Sequence, residues 1–379
     1  MKTVSIICEY NPFHNGHKKQ IDTIRANFGT DCGIVCLMSG NFVQRGAPAI
    51  FHKSLRAQAA ISSGADLVLE LPITYALSSA EGFAAGGVKI LSGFCDTLSF
   101  GTETGDLDSL TATAKALLSP EFRDALREQL EKGLSFPVAR AAALKDHSSL
   151  LHKPNDILAV EYCKAILSQN SAMVPMPILR QGDYHNTTAD LENPSATAIR
   201  NLLHNGEAWQ AFVPEEALSI FSGADTHSLA AGERAVLARL RYMTDEEFEA
   251  LPYGSEGLWR KFMHACRSQN SIESIIAETK SKRYTRTRID RMLMCAYLGI
   301  TQNMLEQPAP YTRVLALNDK GRSILKQARL SGTFPHIGEA MDDLYWRLEQ
   351  RTADLYSLFR ERAPAPAGLE AKQRVFFKE

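Results

Sequence analysis

No apolar run in the 379 residues approaches the roughly 20 needed to span a bilayer, so a transmembrane helix is not expected. The N-terminal MKTVSIICEY has one lysine and a short apolar stretch that runs directly into Asn11 and His14. That is too short for a secretory signal and reads as a buried strand. Seven cysteines (Cys8, Cys32, Cys36, Cys95, Cys163, Cys266 and Cys295) are odd in number and form no C-x-x-C pair. Their scatter argues against a disulfide framework and a zinc site, and for a reducing, cytoplasmic setting. Neither the G-x-G-x-x-G dinucleotide signature nor the G-x-x-x-x-G-K-[ST] P-loop is present, and there is no internal repeat. Net charge is nearly absent, at −1. It hides an asymmetry: residues 251–379 hold 21 Lys and Arg against 14 Asp and Glu, leaving 21 against 29 in residues 1–250. A basic C-terminal third beside an acidic body fits either a polyanionic partner or a helical region with solvated charges.

What is present is alternation. Thr3–Glu9, Gly33–Met38, Asp66–Leu71 and Thr97–Phe100 read as strands, separated by helices over His17–Phe28, Ser54–Ser63 and Ser79–Leu91. Strands joined by helices of this length form a parallel sheet with helices on both faces. Leu107–Ala143 reads as helical and resembles an insertion; Asn155–Leu167 is a helix, Met176–Leu179 a last strand, and Ser195–His204 a helix capped by Ser195. After about Asp225 helices dominate, with APAPAG (Ala363–Gly368) a loose connector. The expected fold class is α/β, a Rossmann-like parallel-sheet domain over 1–224 with a helical insertion at about 107–150. An all-α region over 225–379 follows.

The segment from Cys8 to His17, CEYNPFHNGH, leaves the first strand and enters the first helix, where an open parallel sheet binds its ligands. Two imidazoles, His14 and His17, flank Gly16 at a helix N-terminus. Gly16 permits close approach of a phosphate, the helix start supplies free N–H groups, and imidazole N–H groups can stabilise charge developing on a triphosphate. Taken alone, two histidines three apart are equally compatible with surface or capping roles.

The H-x-G-H element after strand one resembles the nucleotidyltransferase superfamily of pantetheine-phosphate adenylyltransferases and class I aminoacyl-tRNA synthetases. The longer string EYNPFHNGH is more specific. With MSGNFVQRG (Met38–Gly46), GADLVLELP (Gly64–Pro72), SFGTE (Ser99–Glu103), KPNDILAVEY (Lys153–Tyr162), SATAIR (Ser195–Arg200) and SKRYTRTRIDRML (Ser281–Leu293), it resembles the tRNA(Met) cytidine acetate ligase family. The resemblance implies activation of acetate by ATP to acetyl-adenylate. Acetyl transfer to N4 of the wobble cytidine of elongator tRNA(Met) follows, giving N4-acetylcytidine. Acetate is already ionised at neutral pH, so its attack on the α-phosphate needs no general base. No base for the acetyl-transfer step is evident.

The resemblance assigns His14 and His17 to catalysis. It places ATP along Ile7, Cys8, Glu9, Tyr10, Asn11, Pro12, Phe13, His14, Asn15, Gly16, His17, Lys18, Lys19 and Gln20, with Gly101, Asn155, Arg180 and Gln181. Gly101 ends the fourth strand and either bares backbone to a nucleotide or makes an ordinary turn. Asn155 starts a helix and either bonds a ribose or base or serves as an N-cap. Arg180 can fork onto phosphate oxygens or lie on the surface. Ser195, Thr197 and Arg200 resemble a phosphate-binding element, although capping explains Ser195 as well. Asn41, Gln44 and Arg45 line an acetate or cytosine pocket or form a surface turn. Lys53 and Arg56 either reach an anion or lie on a solvated face. The sequence departs from the family pattern at His52, where an acid is usual, at Lys18 and Lys19, where apolar residues are familiar, and at Asp156, where an amide is common.

Lys280, Lys282, Arg283, Arg286, Arg288 and Arg291 form a basic cluster around Tyr284, with Asp290 the only acid from 280 to 291. On a helix, Arg283, Thr287 and Arg291 share a face, suiting a phosphate backbone, with Tyr284 free to stack on a base. The expected partners are elongator tRNA(Met), acetate and ATP, with Mg²⁺ only as the ATP counter-ion, no protein-fixed metal and no obligatory protein partner. Two rivals share the scaffold: a small-molecule adenylyltransferase of the phosphopantetheine type, and a non-catalytic RNA-binding protein.

Overall fold

The computed structural model describes residues 1–144, 148, 150–180, 194–330 and 344–379. Its strands are β1 (Thr3–Cys8), β2 (Gly33–Ser39), β3 (Phe42–Val43), β4 (Ala47–Pro48), β5 (Leu67–Leu71), β6 (Thr97–Thr102), β7 (Val174–Leu179), β8 (Arg313–Leu317) and β9 (Phe376–Phe377). Seven form one sheet in the order β7-β6-β1-β2-β5-β8-β9, and β3 and β4 make a separate small hairpin. The five strands from β7 to β5 run parallel, each expected strand lying within two residues of its sequence assignment.

Both faces of this sheet are apolar because both are covered. Val4, Ile6, Ile34, Cys36, Met38 and Val68 meet Ile21 and Ile24 of helix Asn15–Phe28 and Ala57, Ala60 and Ile61 of helix Lys53–Ser62. On the opposite face Ile7, Val35, Leu37, Leu67 and Leu69 meet helices Ala80–Leu91 and Pro154–Ser168. All seven cysteines are buried and free, as core residues. Helix Leu107–Leu118, read from sequence as part of an insertion, places Leu110, Ala114 and Leu117 in this second core, whereas Pro120–Glu131 only leans the partly buried Phe122 against it. Proline at 175 and 177 is tolerated because β7 is an edge strand.

The C-terminal third is helical, with its own core, but its expected all-α character needs one correction. β8 pairs antiparallel with β5, and β9 adds parallel to β8. RVLAL is only five residues long, and its strand character comes from the free edge of β5. There, Thr312 Oγ1 donates to Glu70 O at 2.6 Å. The helical core is continuous with the α/β body, since Phe42, Ile73 and Leu77 pack among Phe262, Ile276 and Leu293.

The chain runs β1 to β2 to β5 on one side of β1, then crosses back to β6 on its other side. The C-terminal ends of β1 and β6 therefore flank a topological switch point, where an open α/β sheet forms its ligand crevice.

Candidate active site

His14 is the N-cap of helix Asn15–Phe28 and stands just past the C-terminal end of β1. Its Nδ1 accepts the Gly16 N–H at 3.1 Å, and its own backbone N–H donates to His17 Nδ1 at 3.2 Å. The two rings stack, with centroids 3.6 Å apart and planes 22° from parallel. This reciprocal box fixes the tautomers: with each Nδ1 accepting, each neutral ring carries its proton on Nε2. Burial, with Arg180 and Arg200 nearby, pushes His14 down to about 3. Burial, then His14 and Arg180, lowers His17 well below the usual imidazole range. The pair is thus neutral at pH 7 and offers Nε2–H donors, while the positive charge belongs to the arginines. Gly16 is required by the same packing, because a Cβ there would lie 3.0 Å from His14 Cε1.

The rest of the Ile7–Gln20 span divides in two. Ile7, Cys8, Tyr10 and Phe13 are buried core, and the Tyr10 hydroxyl lies 3.3 Å from Cys36 Sγ. Pro12 is buried too, and Asn11 Oδ1 accepts the Ile50 N–H at 2.7 Å, so these residues shape the loop. Glu9, Asn15, Gly16, His17, Lys18, Lys19 and Gln20 keep some exposure. Asn15 Nδ2 donates to Ala211 O at 3.0 Å, Gln20 Nε2 to Ser99 Oγ at 3.3 Å, and Lys18 pairs with Asp22 at 2.5 Å.

Arg180 follows β7, and its backbone N–H donates to Thr102 O at 2.8 Å. Its stem lies on Gly101, where a Cβ would come within 2.8 Å of Arg180 Cδ. Gly101 therefore makes room for the arginine. Gln181 lies outside the described residues. Asn155 is not an N-cap: that position is Lys153. Its Nδ2 donates to Glu103 Oε1 at 2.6 Å, and Glu103 Oε2 accepts the Asp156 N–H at 2.9 Å. Asp156, the departure from the family amide, is buried; its Oδ1 accepts the Glu103 N–H at 2.8 Å and the Thr104 N–H at 3.2 Å. Its carboxylate thereby holds the turn after β6. Glu103 carried no sequence signal of its own beyond its place in SFGTE.

Ser195 caps its helix, its Oγ accepting the Ala198 N–H at 3.1 Å. Arg200 donates to Asn11 O at 2.7 Å and to Thr197 Oγ1 at 3.0 Å, tying this helix to the His14 loop. Asn41 turns inward: its Oδ1 accepts the Lys53 N–H at 3.0 Å, and it lines a small cavity together with Lys53, Glu70 and Glu349. Gln44 and Arg45 stay at the rim, and the Gln44 N–H donates to Glu9 Oε1 at 2.7 Å.

The solvated-face alternative for Lys53 and Arg56 fails, since both are buried. Arg56 donates to Phe51 O at 2.9 Å, Glu9 O at 2.6 Å, Ser39 O at 3.1 Å and Gly40 O, clamping the loops that leave β1 and β2. Lys53 pairs with Glu70 at 2.6 Å and Glu370 at 2.5 Å, and Arg313 pairs with Glu370. A buried arginine inside an alternating apolar helix is invisible to periodicity. His52 is an N-cap, its Nδ1 accepting the Ser54 N–H at 3.3 Å, a task an acid would serve equally well.

The chain matches the family described as HIGH Nucleotidyl Transferase over residues 1–370. It is 37% identical over 357 residues to the tRNA(Met) cytidine acetate ligase of Clostridium novyi (strain NT), spanning 88% of this chain and 89% of that protein. The protein of the same name from Alkaliphilus metalliredigens (strain QYMF) is 38% identical, spanning 89% and 87%. The chain belongs to the tRNA(Met) cytidine acetate ligase family. Among solved structures it resembles apo Thermotoga maritima TmcAL with a TM-score of 0.91 and 31% identity, covering 100% of this chain and 99% of that one. The same protein bound with alpha-thio ATP gives a TM-score of 0.89.

For a member of this ligase family the position of the basic cluster matters. Gly46, at φ +75°, ends the turn after Gln44 and Arg45, and a Cβ there would meet Asp290 O and Arg291 N at 2.5 Å. The turn is therefore seated on helix Arg286–Leu298, and the basic helix adjoins the rim of the site. The cluster itself is less free than its sequence suggests. Arg283 pairs with Glu256 at 2.8 Å and Arg286 with Glu273 at 2.6 Å; Arg288 Nε donates to Tyr253 O at 2.9 Å, and Arg291 lies over the Tyr253 ring. Tyr284 is a correction: its ring is buried and its hydroxyl donates to Glu256 O at 2.8 Å, so it is not presented for base stacking. Lys280 and Lys282 are exposed. No helix among the described residues is long and apolar enough to cross a membrane, and no group of three or more His, Cys, Asp or Glu there could hold a metal.

Proposed function

We propose that this chain activates acetate with ATP, releasing pyrophosphate, and transfers the acetyl group to N4 of the wobble cytidine of elongator tRNA(Met). The observation that carries the first half is the stacked, neutral His14–His17 pair at a helix N-terminus, within the field of Arg180 and Arg200. Nucleotidyl transfer from ATP demands that two anions be positioned and that charge on the departing pyrophosphate be stabilised; Nε2–H donors and arginines do both. Neutral imidazoles suit this because their donors are in place across the neutral pH range. Mg²⁺ arrives with the nucleotide as part of the substrate. Family membership supports the second half, with the basic helix beside the Gln44–Arg45 rim giving tRNA a seat next to the activated acyl group.

The test is exchange of labelled pyrophosphate into ATP across a panel of acids, followed by transfer to bulk tRNA. Acetate-dependent exchange with transfer to tRNA is expected. Exchange driven by a phosphorylated small molecule, with acetate inert, would replace this reading with a small-molecule adenylyltransferase.

A further inference from the structure

Acetate needs no base to attack ATP, but the second half-reaction does. The cytidine amine must lose a proton as its nitrogen bonds to the acetyl carbon. His14 and His17 present donors, and Arg180 and Arg200 present charge; none of these is a proton acceptor suited to the amine. Glu9 is of the other kind. It leaves β1 at the switch point and is half-buried. Among the described residues its carboxylate makes one hydrogen bond, from the Gln44 N–H to Oε1, leaving Oε2 for another donor. Its backbone is pinned by Arg56, which donates to Glu9 O at 2.6 Å and is itself fully buried. The charges that act on the carboxylate are Arg200, Arg45 and Arg56. Arg200 belongs to the phosphate side, and Arg45 to the turn seated on the basic helix. Glu9 thus stands between the nucleotide side of the crevice and the side from which RNA would enter. Burial outweighs the three arginines and raises its carboxyl above the ordinary range, which makes the carboxylate a stronger base.

We propose that Glu9 is the proton acceptor of acetyl transfer. The N4 lone pair forms the C–N bond to the acetyl carbon, and the bond from that carbon to the bridging oxygen of AMP breaks, its electron pair leaving with AMP. The N–H proton passes to Oε2 of Glu9 and then to solvent. This inference rests on the acetyl transfer proposed above.

Separating the half-reactions tests it. Acetate-dependent pyrophosphate exchange is measured without tRNA, and single-turnover transfer to tRNA is followed from pH 5.5 to 8.5, for wild type, Glu9→Gln and Glu9→Asp. The expected result is a transfer rate lowered about 100-fold or more in Glu9→Gln, with the acidic inflection of the wild-type profile lost. Exchange should fall as well, because Glu9 borders the ATP span, but at least about tenfold less than transfer does, and Glu9→Asp should recover part of the transfer rate and the inflection. Equal losses of exchange and transfer, or an unchanged transfer profile in Glu9→Gln, would overturn the assignment and leave Glu9 a loop anchor. Wild-type protein without acetate-dependent exchange would instead remove the reaction itself.

Discussion

Replacing Gly16 with alanine should separate stability from catalysis. The added Cβ would lie 3.0 Å from His14 Cε1 and 3.1 Å from its Nδ1, inside ordinary van der Waals contact. The imidazole must give way by several tenths of an ångström, and the Gly16 N–H bond to Nδ1, already 3.1 Å long, is the first casualty. Gly16 sits in the first turn of a helix with no positive φ, so alanine is favoured there by up to about 1 kcal/mol. The melting temperature should therefore hold or rise within about 2 °C. Acetate-dependent pyrophosphate exchange should nonetheless fall about 10- to 100-fold, because His14 is displaced from the position in which it is proposed to meet the phosphates. Normal exchange in Gly16→Ala, or a loss of activity matched by a loss of fold, would refute the reasoning.

Further expectations concern the other groups. His17→Ala should lower exchange about 100- to 1000-fold by removing one donor, while filter-binding affinity for tRNA stays within about twofold; retained exchange would sink the role of the motif. A Lys280→Ala/Lys282→Ala pair should reduce the salt slope of tRNA binding by about one per lost phosphate contact, and more than Arg283→Ala/Arg286→Ala, whose arginines are already paired with Glu256 and Glu273; the reverse ranking would misplace the docking surface. Acid should destabilise the fold early. His14 and His52 are held down to about 3 and His227 to about 4, chiefly by burial, so the unfolded chain binds protons that the folded chain refuses once pH drops below about 6.5. The stabilisation is complete above that value, and by pH 5 each group costs about 2 kcal/mol, so equal melting temperatures at pH 7.5 and 5.0 would contradict it.

The parallel core was legible because its strands are short apolar runs broken by glycine and by helices of crossover length, and because both faces are covered. β8 was not, since five residues gain strand character only against the open edge of β5. In the site, chain order alone placed His14, Gly16 and His17 at the end of β1. Periodicity could not tell inward from outward polar groups. Arg56 and Lys53 vanish into the interior because backbone carbonyls and Glu70 receive them, Asn41 turns inward to the Lys53 N–H, and Tyr284 is consumed by Glu256 O. Charge counting likewise overstated the basic helix, because Glu256 and Glu273 are far from it in sequence and beside it in space.

The most direct measurement is product identity from wild-type protein incubated with ATP, labelled acetate and bulk tRNA, followed by nuclease digestion. The expected outcome is label on N4 of the wobble cytidine of elongator tRNA(Met), with one AMP and one pyrophosphate released per acetyl group transferred. Acetylation that requires acetyl-CoA, or ADP and phosphate as the nucleotide products, would contradict it.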